Sequence, residues 1–350
     1  MHSKAVDSHY EVALVSPFLL QTLGHVVAQK GANAPSLCRG LGFMLADLDD
    51  PSQRISYRQA VAMIQRALKV LPGQGLGLCV GNQNVLGTLG LLGHVISLCE
   101  TLRDAFTIGE RHQQACGGIA TSRIHEDAHQ VCVDIDCLLP YAEVQVFAAE
   151  EFFASLMVYG RTLVGQDFMP LRMEFMHAAP TYADEYRRLF GDNVGFGCLH
   201  NRMILAPHWL ERRLPNHHAL ALRQALELLE LESAHLHQKL DLIQAVERAI
   251  SRDLQGSQLE KIASDLNMSG RTLRRRLTEH GLTFEALLEQ VRRARTMGLL
   301  ANPGLSIERI TEEVGYSDVR SFRRAFKRWT GLSPSAFREE GSKSACSLAL

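Results

Sequence analysis

The chain has 350 residues with 46% hydrophobic and 21% charged side chains, a composition that excludes a chain disordered throughout. Domains of about 100–200 residues are usual, so this length favours two domains, each with its own core. The net charge of −1 says nothing by itself about nucleic acid. The eight cysteines are scattered through apolar runs, which argues against a disulfide framework and for reduced thiols.

Membrane insertion and secretion are not expected. The longest apolar stretch, Val85 to Cys99, is shorter than the ~20 residues that a membrane helix needs. The first residues lack the basic, apolar and small-residue series of a signal peptide. We therefore expect a cytoplasmic protein with no membrane contact.

Residues 1–215 read as a mixed α and β region. Helices are predicted where apolar residues recur with a helical period, and strands where they alternate over a few residues. The predicted helices are Tyr57–Leu71, an interrupted segment Val85–His112, and Glu143–Leu163. The predicted strands are Val131–Ile135, Leu171–Met176 and Arg202–Leu205.

Chemical motifs are sparse in this region. The glycine run Gly73–Gly77 resembles part of a phosphate loop, but it lacks the lysine and the strand-to-helix context. Cys132 and Cys137 are interpreted as core residues. Arg172 and His177 are candidates for a pocket that binds an anion, although no spacing selects them. We assign no catalytic, metal-binding or ligand-binding residues here and expect no cofactor.

A stripe of apolar residues marks the segment after residue 215. Its members follow alternating spacings of three and four: Ala219, Leu222, Leu226, Leu229, Ser233, Leu236, Leu240 and Ile243. One interpretation is a linker helix that joins two copies of the chain into a homodimer. The other is an amphipathic helix that lies on its own domain and shows the same stripe. The sequence leaves both open.

A helix-turn-helix pattern begins at residue 259. Leu259–Leu266 is predicted as a short helix and Ser269 as the cap of the next helix, residues 270–280. Leu273 and Leu277 point inward at i, i+4, so the basic residues of that helix face outward.

The same arrangement recurs farther along the chain. Ile307–Val314 is the supporting helix, Asp318 is the cap, and residues 318–329 form the second recognition helix. Its apolar side consists of Phe322, Ala325, Phe326 and Trp329. The long amphipathic helix Phe284–Ala301 would hold the two motifs in a fixed relation. Residues 251–340 carry 16 basic and 12 acidic side chains, which fits an anionic partner.

The segment from Gly315 to Glu339 resembles the signature of the AraC/XylS family of transcription regulators. The matching residues are Gly315, Tyr316, Phe322, Arg324, Phe326, Gly331, Ser333, Pro334, Phe337 and Arg338. The segment Met268–Leu277 also fits the family's first motif, and the resemblance covers about residues 240–340. It implies two recognition helices that enter successive major grooves of double-stranded DNA, ~34 Å apart.

The resemblance also implies roles for individual residues. Base reading falls on Arg271, Arg274, Arg275, Arg320, Ser321 and Arg324. Lys327 and Arg328 are expected to contact phosphate. An arginine fork suits base reading because it can bond O6 and N7 of guanine together. For individual arginines, the alternative is a solvated or ion-paired side chain. Val319 departs from the family pattern, which often has a polar residue there.

Residues 15–215 resemble the arabinose-binding-like N-terminal domain of one branch of this family. The matching runs are Leu86–Phe106 and Leu189–Gly197. The resemblance implies a domain that senses a small-molecule effector and takes part in dimerisation. The effectors associated with such domains include amino acids and fatty acids.

These observations predict an α+β N-terminal sensor domain followed by an all-α C-terminal domain with two helix-turn-helix motifs joined by a long helix. The expected boundaries are 1–215 for the sensor, 216–239 for the linker helix, 240–340 for the DNA-binding domain and 341–350 for a disordered tail. The expected function is a transcription activator that binds DNA and RNA polymerase under effector control. The alternative is a constitutive DNA-binding regulator without a ligand. An enzyme with a DNA-binding tail is disfavoured because the cysteine cluster of such repair proteins is missing.

Overall fold

The computed structural model describes residues 12–50, 53–139, 141–302, 304–330 and 332–338. They form two compact units, one from Val12 to Leu236 and one from His237 onward. Gly331 of the family signature and the expected tail 341–350 lie outside the described residues. Within the described ranges, no helix is both long and apolar enough to cross a membrane.

The N-terminal unit combines helices with two sheets. Its helices are α1 Pro17–Gln29, α2 Tyr57–Val70, α3 Leu76–Gly81, α4 Leu91–Leu98, α5 Leu102–His112, α6 Ala142–Val164 and α7 Ala183–Phe190. Its strands are β1 Ala13–Val15, β2 Ile55–Ser56, β3 Ala120–Glu126, β4 Val131–Cys137, β5 Arg172–Phe175, β6 Val194–Phe196 and β7 Asn201–Leu205. The predicted helices and strands of this region are therefore confirmed.

The larger sheet has the strand order β3-β4-β7-β5-β6. Its pairs are antiparallel except β5 with β6, which is parallel. Val133, Met203 and Phe175 of this sheet are buried, and they share one hydrophobic core with Phe153 and Met157 of α6. The long helix α6 packs on several elements of the unit. Its apolar residues therefore occupy much of its circumference.

The glycine run Gly73–Gly77, which overlaps the start of α3, allows close packing. Gly75 has a left-handed backbone at φ 56°, and a Cβ on Gly77 would lie 2.5 Å from the carbonyl oxygen of Phe147. The backbone N–H groups of Gly77 and Leu78 donate to the carboxylate of Glu150. The N-terminus of α3 is thus occupied by a carboxylate of the protein itself, in the place where a phosphate loop would hold its ligand.

The helix α8, Ala219–Arg252, begins in the N-terminal unit and ends in the C-terminal unit. Leu229 is fully buried in the core of the N-terminal unit. The hydroxyl of Ser233, also buried, lies 2.9 Å from Nδ1 of His112 at the end of α5. This part of the apolar stripe therefore packs on its own domain, which is the second interpretation of the pattern. Leu220, Leu228 and Leu231 on the same helix are exposed.

The described part of the C-terminal unit consists of helices and the loops between them. After the end of α8 they are α9 Leu259–Asp265, α10 Gly270–Glu279, α11 Phe284–Leu300, α12 Ile307–Glu313 and α13 Val319–Thr330. The pairs α9–α10 and α12–α13 are the two helix-turn-helix motifs, and α11 is the long helix that joins them. The predicted fold class is confirmed.

Candidate nucleic-acid interface

The turn of the first helix-turn-helix motif contains a residue with a left-handed backbone. Asn267 has φ 55°, a conformation that asparagine tolerates better than most side chains. The hydroxyl of Ser269 then accepts from the backbone N–H of Thr272 at 3.1 Å and caps α10. Leu273 and Leu277 of α10 are fully buried. The opposite side of α10 is therefore held outward.

Two of the three arginines that we expect to read bases on α10 contact acids of the same motif. Nη1 of Arg275 lies 2.7 Å from Oε1 of Glu279, one turn along the helix. Nη2 of Arg274 lies 3.9 Å from Oε1 of Glu260 on α9. Arg271 has no ion pair within the described residues. Exposed pairs of this kind stabilise by only about 0.2–1 kcal/mol, so DNA phosphates and bases can displace them.

The turn of the second motif contains Gly315, whose φ is 79°. A Cβ at this position would lie 2.4 Å from the carbonyl oxygen of Leu254, so both the conformation and the space favour glycine. The carboxylate of Asp318 accepts from the backbone N–H of Ser321 at 2.7 Å and caps α13. Hydrogen bonds from the backbone and hydroxyl of Ser321 hold the pKa of Asp318 below its ordinary value.

An aromatic core fixes the orientation of α13. Phe322 and Phe326 are fully buried, and Trp329 and Phe337 pack against them. The ring centroids of Phe326 and Phe337 are 5.6 Å apart in an edge-to-face contact. The side of α13 away from these rings is basic.

That basic side lines a shallow cleft. Its lining residues are Val319, Arg320, Arg323, Arg324, Lys327 and Ser333. A guanidinium nitrogen of Arg324 donates to the hydroxyl of Ser321 at 3.2 Å, which brings these two residues together on one face. In the part of the chain that the structure describes, Arg320, Arg323 and Lys327 have no acidic partner. The cleft therefore presents several cations to one anionic surface.

Arg328 lies apart from this cleft. Its guanidinium forms an ion pair with Glu289 of α11, and the same carboxylate oxygen accepts from the indole N–H of Trp329 at 2.6 Å. Burial raises the pKa of Glu289, but the bonds from Arg328 and Trp329 outweigh it and leave the pKa below its ordinary value. Arg328 thus joins α13 to α11, a role that sequence reasoning missed.

The helix α11 contacts elements on both sides of it. The amide of Gln290 donates to Glu247 of α8 at 3.0 Å, and both side chains are buried. The guanidinium of Arg292 lies 4.9 Å from the ring centroid of Tyr316 and donates to the carbonyl of Gly315 at 2.7 Å. The turn of the second motif is therefore tied directly to the connecting helix.

Arg172 and His177, the candidates for a pocket that binds an anion, each have partners within the N-terminal unit. The guanidinium of Arg172 lies 3.1 Å from Glu174. The ring of His177 bonds the hydroxyl of Tyr186 and the carbonyl of Ala178. Cys132 is buried, as expected for a core residue.

Comparisons with known proteins agree with this architecture. The family model described as the arabinose-binding domain of AraC transcription regulator, N-terminal, matches residues 31–214, which is more than half of the chain. A helix-turn-helix domain model matches residues 262–340.

Two curated proteins are similar over nearly the whole chain. An uncharacterized HTH-type transcriptional regulator of Mycobacterium tuberculosis is 28% identical over 338 residues, covering 93% of this chain and 96% of that protein. The ornithine utilization regulator of Pseudomonas aeruginosa is 26% identical over 337 residues, covering 95% of this chain and 98% of that protein. The crystal structure of the regulator CdpR from Pseudomonas aeruginosa aligns at 21% identity with a TM-score of 0.48, covering 92% of this chain and 98% of that chain.

The two motifs with their basic recognition helices lie at one end of the chain, and the matched sensor domain lies at the other. The chain belongs to the AraC family of DNA-binding transcription regulators, with an effector-binding N-terminal domain.

Proposed function

We propose that α10 and α13 enter successive major grooves of one operator and read its bases. The residues that carry this reading are Arg271, Arg274 and Arg275 on α10 and Arg320, Ser321 and Arg324 on α13. The observation that supports it most is the cleft on α13, where several cations without acidic partners among the described residues lie over an aromatic core. Each arginine that bonds a guanine bidentately would contribute about 1–3 kcal/mol of discrimination.

Contacts to phosphate are proposed for Lys327 and, after release of Glu289, for Arg328. Such contacts fix the position of the protein on DNA without reading its sequence. The pair with Glu289 makes Arg328 the weaker of the two candidates.

The proposed regulatory step begins in the N-terminal unit. An effector that binds this unit shifts the population toward an arrangement in which the recognition helices fit the operator. We further propose that the protein acts in the cytoplasm as a homodimer, that it activates transcription through RNA polymerase, and that it has no enzymatic activity. The name of the ornithine utilization regulator supports control of a pathway for small-molecule use.

The test of DNA reading is a footprinting titration with the variant Arg320→Ala, Arg324→Ala. We expect protection of the operator to fall by at least 100-fold, while weak and salt-sensitive binding to any DNA remains. The control is Arg188→Ala, which removes an exposed arginine that pairs with Glu185 in the N-terminal unit. Unchanged operator protection by the double variant would refute the assignment of α13.

A further inference from the structure

The N-terminal unit contains a cavity of ≈ 190 Å³. Its walls come from α1, the segment Leu86–Leu89, α4, α5, α6 and the strands β3 and β4. Representative apolar lining residues are Leu92, Ile96, Phe106, Val133 and Leu156. An apolar cavity of about 150 Å³ is known to hold a benzene molecule, so this one has room for a ring with a short chain.

One part of the lining is polar and buried. The side chain of Asn84 is 5% exposed, and its Nδ2 donates to Oε1 of Glu151 and to Oγ of Ser155, both at 2.8 Å. The Oδ1 of Asn84 is also buried and has no hydrogen-bond partner among the described residues. A buried acceptor without a donor costs about 1–3 kcal/mol, so a donor that reached this atom after a small side-chain shift would be stabilising.

The charges of the lining point in the same direction. The described lining residues include two acids, Glu110 and Glu151, and neither lysine, arginine nor histidine. Burial raises the pKa of Glu151 to about 7, although Ser155 and Asn84 donate to it. The lining therefore offers two acidic acceptors to a ligand and no cation to a ligand carboxylate, and its other polar groups, such as Thr88 and Tyr159, are neutral.

We propose that this cavity is the effector site and that it takes a small apolar molecule with a hydrogen-bond-donating head group, a primary amine or an alcohol, read by Asn84 and Glu151. This proposal rests on the effector control proposed above. A fatty acid would place its carboxylate against these acceptors, and an amino acid would find no cation for its carboxylate. Both classes are therefore disfavoured for this cavity.

One wall of the cavity is connected to α8 through α5. Leu102, Ala105 and Phe106 of α5 line the cavity, and His112 at the end of the same helix bonds Ser233 of α8. A ligand that shifts α5 would therefore move a direct contact of the helix that continues into the C-terminal unit.

The test uses calorimetric titration of the full chain with four probes of nearly equal size. These are 2-phenylethylamine, 2-phenylethanol, phenylacetate and ethylbenzene. We expect the amine and the alcohol to bind at least tenfold more tightly than phenylacetate or ethylbenzene. They should also raise the melting temperature, since a ligand bound by the native state stabilises it.

Two variants test the head-group contact. Glu151→Gln keeps the size of the side chain and should weaken amine binding at least tenfold, with a smaller effect on the alcohol. The matched control is Glu150→Gln, which changes the neighbouring buried acid that bonds Tyr182 and Tyr186 outside the cavity and should leave the affinity unchanged. Leu156→Trp fills the cavity and should abolish binding of all probes, which keeps the test decisive if Glu151→Gln does not fold.

The outcomes separate this proposal from the proposed function. Equal binding of phenylacetate or ethylbenzene, no binding by any probe, or probe binding that survives Leu156→Trp would overturn the site. DNA binding without probes is measured by fluorescence anisotropy in parallel. Loss of the ligand site with an intact response to the arginine substitutions would leave the DNA-binding proposal standing, and the reverse result would leave the ligand site standing.

Discussion

The two helix-turn-helix motifs share a backbone path but differ in the residues that form it. At the matching position of the turn, the first motif has Asn267 with φ 55° and the second has Gly315 with φ 79°. The core of the first is aliphatic, with Leu273 and Leu277, whereas that of the second is aromatic, with Phe322 and Phe326. A shared backbone path thus leaves wide freedom in the residues that pack beneath it.

The surfaces of the two motifs differ more than their backbones. On α10, Arg274 and Arg275 lie beside Glu260 and Glu279. On α13 the cations of the cleft have no such neighbours among the described residues, and the acid that α13 does contact, Glu289, holds Arg328 instead. The first motif must exchange its ion pairs for DNA, while the second presents its cations ready for contact. We therefore expect the second motif to contribute more to operator affinity.

The largest effect on stability is expected at the turn of the second motif. Gly315→Asn should lower the free energy of unfolding by roughly 2–3 kcal/mol, because its Cβ would meet the backbone of Leu254 in a conformation that already strains a side chain. The reciprocal change Asn267→Gly should stay within about 0.5 kcal/mol, since glycine adopts this conformation readily and the position is exposed. Urea unfolding followed by circular dichroism measures both. Equal destabilisation by the two changes would contradict the claim that only the turn at Gly315 is confined by its neighbours.

A smaller effect is expected for the exposed ion pair on α10. Glu279→Gln should strengthen operator binding by about 0.2–1 kcal/mol, because it releases Arg275 from its exposed pair before DNA is bound. Glu285→Gln, an acid in the first turn of α11, serves as the control for a general change of charge. Anisotropy titrations at two salt concentrations provide the measurement. If both variants gain equally, net charge rather than the local pair limits binding.

Periodicity and capping residues predicted much of this fold. Helices with a clear apolar stripe, such as α2 and α6, and both recognition helices follow directly from the sequence. The strand β3 was missed because its side chains alternate weakly and few are buried. Its identity depends on pairing with β4, which no local pattern encodes.

The contacts that position the site residues could not be predicted from the sequence either. Arg328 and Glu289 lie 39 residues apart, and Asn84 and Glu151 lie 67 residues apart, so no spacing rule connects them. The stripe on α8 was ambiguous for a related reason. A helix that buries Leu229 in its own domain and a helix that makes a dimer contact show the same apolar pattern in the sequence. Only the packed fold shows which side chains face a cavity, a neighbouring helix or the surface.

We propose that the two recognition helices read one operator and that α13 reads more of it than α10. In vitro selection from a randomised DNA library measures both, with the wild-type chain, Arg324→Ala and Arg274→Ala compared. We expect two conserved blocks centred ~10 base pairs apart for the wild type. Arg324→Ala should remove the preference at the base that Arg324 reads and weaken one block strongly, and Arg274→Ala should weaken the other block less. A single block, or two blocks that survive Arg324→Ala unchanged, would refute the proposed reading of DNA by α10 and α13.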